Sequence, residues 1–461
     1  MMYEEYAAIR KEMEMVYLHD HRPWMIGYSG GKDSTLLCQL VFEMLDSLPV
    51  EKRWKPVYIV TSDTMVENPI VKAYMHKMSA AINKASQEKQ LNVQAHMIFP
   101  EIRNTFWSLV IGLGYPTPEA PGFRWCTERL KINPSNAFIY NKIKEDGEIV
   151  ILLGVRKAES SARSRSISSH EIEGKILTPH NQISKAYVYS PLSEVRNENV
   201  WEYLLRGDGM SAWNTDNRYL FSLYQGENLG EEDSAIGQVD KDKMKITGNS
   251  RFGCWCCTMV KEDKSLKNFI DHGATELIPL RDFRNWLVEL RANPEARDYR
   301  RRNGSVYLTS SGDYGRGPFT LTARKEILRR LLTLEVETGF ELITLDELKM
   351  IDKMWEDEGD LTRRSLVNIY YEVKGKRLPW DQYKHAKYDD EMLEKISSLC
   401  EKHDVPFDLM SKLMISVDNS KFYTRSAVTA KNVDRILNEG WLHFETIREG
   451  IENENPTDHV E

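Results

Sequence analysis

Two groups of residues have types and spacings that can do chemistry. The first is the string Tyr28-Ser29-Gly30-Gly31-Lys32-Asp33-Ser34. Paired glycines let backbone approach a ligand closely, and a helix opening near Asp33 offers unbonded N–H groups and the positive end of its dipole. Ser29, Lys32 and Ser34 add donors and charge. These are the parts of a pyrophosphate cradle, but not of a Walker-type loop, which needs four residues between Gly and Gly-Lys-Ser/Thr. The second group is Cys126 with Cys254, Cys256 and Cys257, four of six cysteines in the chain. Four thiolates suit an iron–sulfur cluster and equally a tetrahedral zinc site. Metal-free thiols are the third reading, with Cys256 as a buried apolar thiol or Cys126 or Cys256 as a reactive one. Cys38 and Cys400 lie in helical patterns and read as core.

The elements that must position these residues alternate in type through the first half. Residues 23–28 form a short apolar run before the glycines, and 35–45 read as a helix with Leu36, Leu37, Leu40, Val41 and Met44 on one face. Further strands are expected at 57–61, 93–99 and 149–154, the last being the most apolar and therefore central and parallel, with a helix over 69–89. Alternation of this kind specifies an α/β fold with a doubly wound, mostly parallel sheet. Asp63, just past a strand, then falls at the same sheet edge as the glycine loop, where it can serve Mg²⁺ or a nucleotide, or close a turn. Arg156 directly follows the 149–154 strand, and Arg156 and Arg163 can pair with phosphate oxygens in forked geometry. From residue 280 the periodicity is helical, notably over 321–337 and 389–402.

Length and charge bound the rest. At roughly 100 to 200 residues per domain, 461 residues make two or three domains. We divide them into a nucleotide-binding domain over 1–225, an acidic loop with the cysteine-rich turn over 226–280, and a helical C-terminal region over 281–461. No apolar run approaches the ~18 residues of a membrane span, and the charged N-terminus lacks a secretion signal, so a cytoplasmic protein is expected. The 62 basic and 70 acidic residues leave a formal charge of −8, which argues against indiscriminate attraction to nucleic acid. Arginine nevertheless gathers between residues 281 and 330, including Arg300, Arg301, Arg302, Arg316, Arg324, Arg329 and Arg330. If they share one face, a DNA backbone can follow it; if not, they are a solvated helix surface.

The string SGGKDS in its strand–loop–helix setting resembles the PP-loop of the ATP pyrophosphatase superfamily, whose members split ATP between the α and β phosphates. Thr61-Ser62-Asp63-Thr64 with Glu67-Asn68-Pro69 resembles a strand-end segment of phosphoadenylyl-sulfate (PAPS) reductases. Leu153-Gly154-Val155-Arg156 with Glu159, Ser160 and Arg163 is similar to their substrate-side segment, and Pro191-Leu192 with Val200-Trp201 to a later unit. Arg124-Trp125-Cys126-Thr127, Leu130-Lys131-Ile132, Arg251-Phe252-Gly253-Cys254-Trp255, Cys257-Thr258 and Gly317-Pro318-Phe319-Thr320-Leu321 resemble DndC-type enzymes of DNA phosphorothioation.

That resemblance implies ATP and Mg²⁺ at Tyr28 to Ser34, Asp63, Arg156, Glu159 and Arg163, with Lys32, Asp33, Asp63 and Arg156 taking part in the reaction. It implies a [4Fe–4S] cluster on Cys126, Cys254, Cys256 and Cys257. The chain departs from the DndC pattern at residues 246–250, which lack a further cysteine, so Cys256 stands in as fourth ligand. It also implies DNA as substrate, a cysteine desulfurase as sulfur donor and other phosphorothioation subunits as partners. Sulfonucleotide reduction and ATP sensing without turnover are the rival readings.

Overall fold

The computed structural model describes residues 2–119, 123–159, 161–169, 172, 174–225, 252–309, 312, 314–384, 388–420 and 426–441. The acidic loop expected at 226–249, together with Ser160, Arg251 and the tail 449–461, lies outside the described residues. The chain divides into two units: Met1–Glu101 with Pro118–Arg284, and Ile102–Thr117 with Asn285–Glu461.

In the first unit the strand-sized apolar runs pair into a six-stranded sheet of order β3-β2-β1-β4-β6-β5. Its strands are β1 (Trp24–Gly27), β2 (Val57–Ser62), β3 (Val93–Ile98), β4 (Ile149–Leu152), β5 (Thr178–Pro179) and β6 (Ala186–Tyr189). All pairings are parallel except β5 with β6. The fold is thus α/β, with β4 central as its unbroken apolar run requires. From β1 the chain winds outward to β2 and β3, then crosses back to place β4 on the other side of β1. That reversal opens a crevice at the carboxyl ends of β1 and β4, the usual ligand position in doubly wound sheets.

Helices α1 (Met2–His19), α2 (Lys32–Ser47) and α3 (Pro69–Glu88) belong to this unit. The expectation of a one-faced α2 is too narrow. Leu36, Leu37, Cys38, Leu40, Val41 and Phe42 are all fully buried, because α2 packs against α1 as well as the sheet, so truncating any of its large side chains to Ala should cost about 2–5 kcal/mol. Asn68 caps α3, accepting from the N–H of Ile70, and Pro69 opens the helix. Trp201, Trp213, Phe221 and Tyr224 are buried, as core aromatics.

The second unit is helical. Helices Leu321–Thr338, Leu345–Glu358 and Ser365–Lys374 bury Ile327, Leu328, Leu331, Ile351, Trp355 and Leu366. Thr320 caps the first by accepting from Ala323 N–H, and Thr344 with Glu347 forms a capping box on the second. Segment 102–117 packs here rather than with the sheet. Its Trp107 indole donates to Leu342 O at 2.8 Å, and Trp355 donates to Ile111 O at 2.8 Å. Cys400, in helix Asp390–Lys402, is buried core.

Candidate active site

The glycine loop turns out of β1 directly into α2 at the crevice. Gly30 adopts a left-handed conformation (φ +71°) that an L side chain would strain. Ser34 Oγ holds the turn, donating to Gly31 O at 2.9 Å and accepting from Ser29 N–H at 3.2 Å. Gly31 is the N-cap of α2 and supplies no side-chain cap; of the donors of the first turn, which suit an anion, the Lys32 N–H is taken by the Tyr224 hydroxyl. Tyr28 is buried beneath the loop beside Thr35 and Tyr74, and burial raises its pKa.

Gly154, after β4, closes the other side of the crevice. A Cβ there would stand 2.9 Å from Asp33 O and 3.2 Å from Ser34 Cα, so only glycine lets the two loops meet. Two residues on, Arg156 is buried with all three guanidinium nitrogens bonded: Nε to Asp33 Oδ1 at 2.7 Å, Nη1 to Val195 O at 3.3 Å and Nη2 to Asn197 Oδ1 at 3.1 Å. Three of the five N–H groups of Arg156 thus tie the β4 end to the start of α2 and position the loop. Lys32 Nζ lies 3.7 Å from the other Asp33 oxygen, which leaves the Asp33 carboxylate between two cations. Lys32 N–H donates to the Tyr224 hydroxyl at 3.1 Å, and the ammonium sits 5.2 Å from that ring's centroid. No local sequence pattern links Tyr224 to a loop 192 residues away. Glu159 is close enough for its charge to act on Tyr224; Arg163 lies in the helix Ser161–Ser168, its side chain outside the described residues.

At the end of β2, Asp63 is buried and both its oxygens are engaged: Oδ1 accepts from Met65 N–H at 2.7 Å, and Oδ2 is 3.3 Å from His76 Nε2. As placed it closes the turn, the structural alternative weighed from sequence. Met65 sits at φ +66°, strained for a non-glycine residue. The cysteine turn is pinned to this segment by a backbone bridge between Glu67 and Cys254 and by Trp255 N–H donating to Val66 O at 3.1 Å. Thr64 Oγ1 donates to Glu67 Oε1 at 2.8 Å and lies 3.5 Å from Cys254 Sγ.

Cys126 approaches the same place from a short helix that runs into the wide turn Glu128–Ile132. Lys131, in that turn, is the cation the group shares. Its pKa is raised chiefly by Glu67, 3.8 Å away, and further by Cys254, Cys126 and Cys257. Burial pushes the Cys254 thiol up to about 12 and the Cys256 thiol well above its usual range, while burial and the neighbouring Cys257 raise Cys126. The four thiols are therefore neighbours, as sequence expected. Among the described residues, however, no three His, Cys, Asp or Glu side chains converge as a metal-ligand set, and Cys256 is fully buried. As placed they do not fit the four-thiolate cage of a [4Fe–4S] cluster or a zinc ion, and no chemical step is derived through either.

On the β6 side, a cavity of about 460 Å³ opens beyond the strand ends, lined by Leu153, Val155, Lys175, His180, Tyr189 and Ser190 among others. In the second unit the arginines of 285–330 do not form one free basic face. Arg302 and Arg324 share Glu358, Arg329 pairs with Glu372 and Arg330 with Glu326.

The glycine loop, the sheet order and the strand-end segments converge on one crevice at the carboxyl ends of β1 and β4. Residues 23–210 match the model of the phosphoadenosine phosphosulfate reductase domain family. An uncharacterized protein of Methanocaldococcus jannaschii is 26% identical over 185 residues, which cover 40% of this chain and 32% of that protein; the chain thus spans about a third of the length of this curated relative. Among solved structures, PAPS reductase from Candida auris aligns with 43% of this chain and 83% of its own (13% identity, TM-score 0.27). The U34-tRNA thiolase NcsA from Methanococcus maripaludis with its [4Fe-4S] cluster aligns with 62% and 79% (12%, 0.30), and FMN adenylyltransferase from Candida glabrata with 59% and 82% (10%, 0.31). Scores this low carry no functional argument. No helix among the described residues is long and apolar enough to cross a membrane.

Proposed function

We propose that the first unit is an ATP pyrophosphatase that adenylates an oxyanion for replacement of oxygen by sulfur, and that the oxyanion is a DNA backbone phosphate. The observation that carries the reading is the start of α2, which has no side-chain cap from its N-cap residue and sits at the crevice between β1 and β4, with Gly30, Gly31 and Gly154 letting the loop pack closely against Met75, the Tyr224 hydroxyl and the Asp33 backbone. The β and γ phosphates of ATP, with Mg²⁺ as the nucleotide's companion ion, lie against that helix start and the Lys32 ammonium. A nonbridging phosphate oxygen attacks the α phosphorus, the bond to the β-phosphate oxygen breaks, and pyrophosphate leaves with its charge stabilised by Lys32 and the backbone donors. Arg156 and Asp33 keep the loop in register throughout. Sulfane sulfur from a cysteine-desulfurase persulfide passes to one of Cys126, Cys254 and Cys257, gathered around Lys131. The terminal sulfur of that persulfide attacks the adenylated phosphorus and expels AMP, and a neighbouring thiol of the group cleaves the resulting P–S–S–Cys bond, leaving the phosphorothioate and a Cys–Cys disulfide that an external thiol reduces.

The strings shared with DndC-type enzymes, on either side of Cys126 and Cys254, support DNA as the acceptor. Sulfonucleotide reduction needs a mobile nucleophilic cysteine near the C-terminus, whereas Cys400 is buried in a helix. The test is incubation of anaerobically purified protein with ATP, duplex DNA and a persulfide donor, followed by nuclease digestion and mass spectrometry. Phosphorothioate dinucleotides that vanish in Lys32→Ala support the reading, and pyrophosphate release without sulfur in DNA contradicts the choice of acceptor.

A further inference from the structure

A cavity of about 890 Å³ lies wholly within the second unit. We propose that it binds a phosphate-bearing small molecule of about nucleotide size. Volume alone allows this, since small-molecule sites run from roughly 300 to 1,000 Å³. Its lining carries eight Arg or Lys against six Asp or Glu, and most of those acids are already committed. Glu358 is shared by Arg302 and Arg324, Asp298 is held by Arg300, and Glu439 by Lys412 and Arg435. Asp360 accepts from Thr362 Oγ1 and from Ser365 through both Oγ and N–H. Lys325 and Arg301 are left with no carboxylate within ion-pair distance among the described residues. Burial lowers the Lys325 pKa, a cost that an arriving anion would offset.

A second observation points to the sign of the ligand. Four of the lining residues are more than nine-tenths buried and hold a polar atom with no hydrogen-bond partner among the described residues: Arg300 Nη1, Arg324 Nε, Ser411 Oγ and Ser416 Oγ. Buried polar atoms without partners are rare in folded proteins, and four around one cavity need an explanation. Guanidinium nitrogens can only donate, and both serines can donate, so what completes them is an acceptor-rich group. The start of the 18-residue helix Leu321–Thr338 reaches the same cavity through Thr320, Leu321 and Thr322 and adds the positive end of its dipole. One phosphate would occupy a small part of the space. Tyr299, Phe319 and Phe407, also in the lining, offer faces for a planar base beside it.

The test is equilibrium titration of the full chain with ADP and, separately, with inorganic pyrophosphate, in a Lys32→Ala background that removes the principal cation of the glycine loop. Lys325→Glu and Arg301→Glu are added singly, with Lys325→Gln beside them; because Lys325 is partly buried near Asp360 and Arg301 stacks on Tyr307, thermal melts of each variant are compared with the parent, and binding is read only from variants that melt as it does. The expected result is saturable ADP binding in Lys32→Ala, weakened about tenfold to a hundredfold by Lys325→Glu, as for loss of a charge-assisted contact, and less by Arg301→Glu. Pyrophosphate should bind more weakly than ADP and show the same sensitivity. ADP affinity indifferent to both substitutions, or no saturable binding in Lys32→Ala, overturns the proposal. Binding of a duplex oligonucleotide that Lys325→Glu abolishes, with none of ADP, also overturns it and assigns the cavity to a nucleic-acid backbone.

Discussion

In the first unit the groups that face the crevice come from seven consecutive residues, 28–34, seated by Gly154 and Arg156. Around the second unit's cavity they come from positions scattered between Leu113 and Glu439. The chemistry differs as well. The first site relies on backbone donors at a helix start, which glycine exposes, whereas the second relies on guanidinium and ammonium groups held in place by Glu358, Asp298 and Glu439. Backbone donors impose a fixed spacing and hence a readable string. Side-chain donors impose only that the fold bring them together.

The largest effect expected to separate the two sites is that of Lys32→Ala. It should cut pyrophosphate release from ATP by about a hundredfold to a thousandfold, the usual loss when a group stabilising the departing charge is removed, while ADP binding that depends on Lys325 persists. Equal loss of both would break the comparison.

Two glycine substitutions probe the framework on each side. In Gly154→Ala the new Cβ meets Asp33 backbone at 2.9 Å, and in Gly317→Ala it meets Arg300 O at 1.9 Å. Neither neighbour is a side chain that can swing away, so each variant should lose about 1–3 kcal/mol or more in denaturant titration. Gly154→Ala should depress ATP cleavage and spare ADP binding, and Gly317→Ala should do the reverse.

Tyr224→Phe is milder. Its hydroxyl occupies Lys32 N–H, so removal should free that donor for a phosphate and lower the KM for ATP by a few fold with kcat little changed. An unchanged or raised KM would show that the hydroxyl contacts nucleotide instead of standing in for it.

The smallest effect concerns Lys131. Glu67 is the chief cause of its raised pKa, and a raised pKa means less free amine at any given alkaline pH. Glu67→Gln should therefore speed acylation of Lys131 at pH ~9 by a few fold, measured by peptide mass spectrometry.

How much of this was legible follows from the same contrast. The glycine loop, α3 with its Asn68-Pro69 start, and the apolar β4 could all be read because local pattern dictates them. Segment 102–117 could not, since Trp107 and Ile111 find their partners at Leu342 and Trp355, more than 200 residues away. Arg156 was readable as a charged residue at a strand end, but not as one with its three nitrogens bonded to Asp33, Val195 and Asn197. The arginine run was visible as composition; its pairing with Glu358 and Glu372 was not. For the cysteines, sequence could count thiols but could not state their mutual geometry, which the backbone bridge between Glu67 and Cys254 sets.

The central claim is that the crevice between β1 and β4 cleaves ATP between its α and β phosphates. The direct measurement is the product balance when anaerobically purified wild-type protein is incubated with ATP, Mg²⁺, an acceptor DNA duplex and a persulfide donor with excess thiol, resolved by ion-exchange chromatography. Equimolar AMP and pyrophosphate, absent with Lys32→Ala, is the result predicted. ADP with inorganic phosphate, or intact ATP after prolonged incubation with acceptor present, would contradict it.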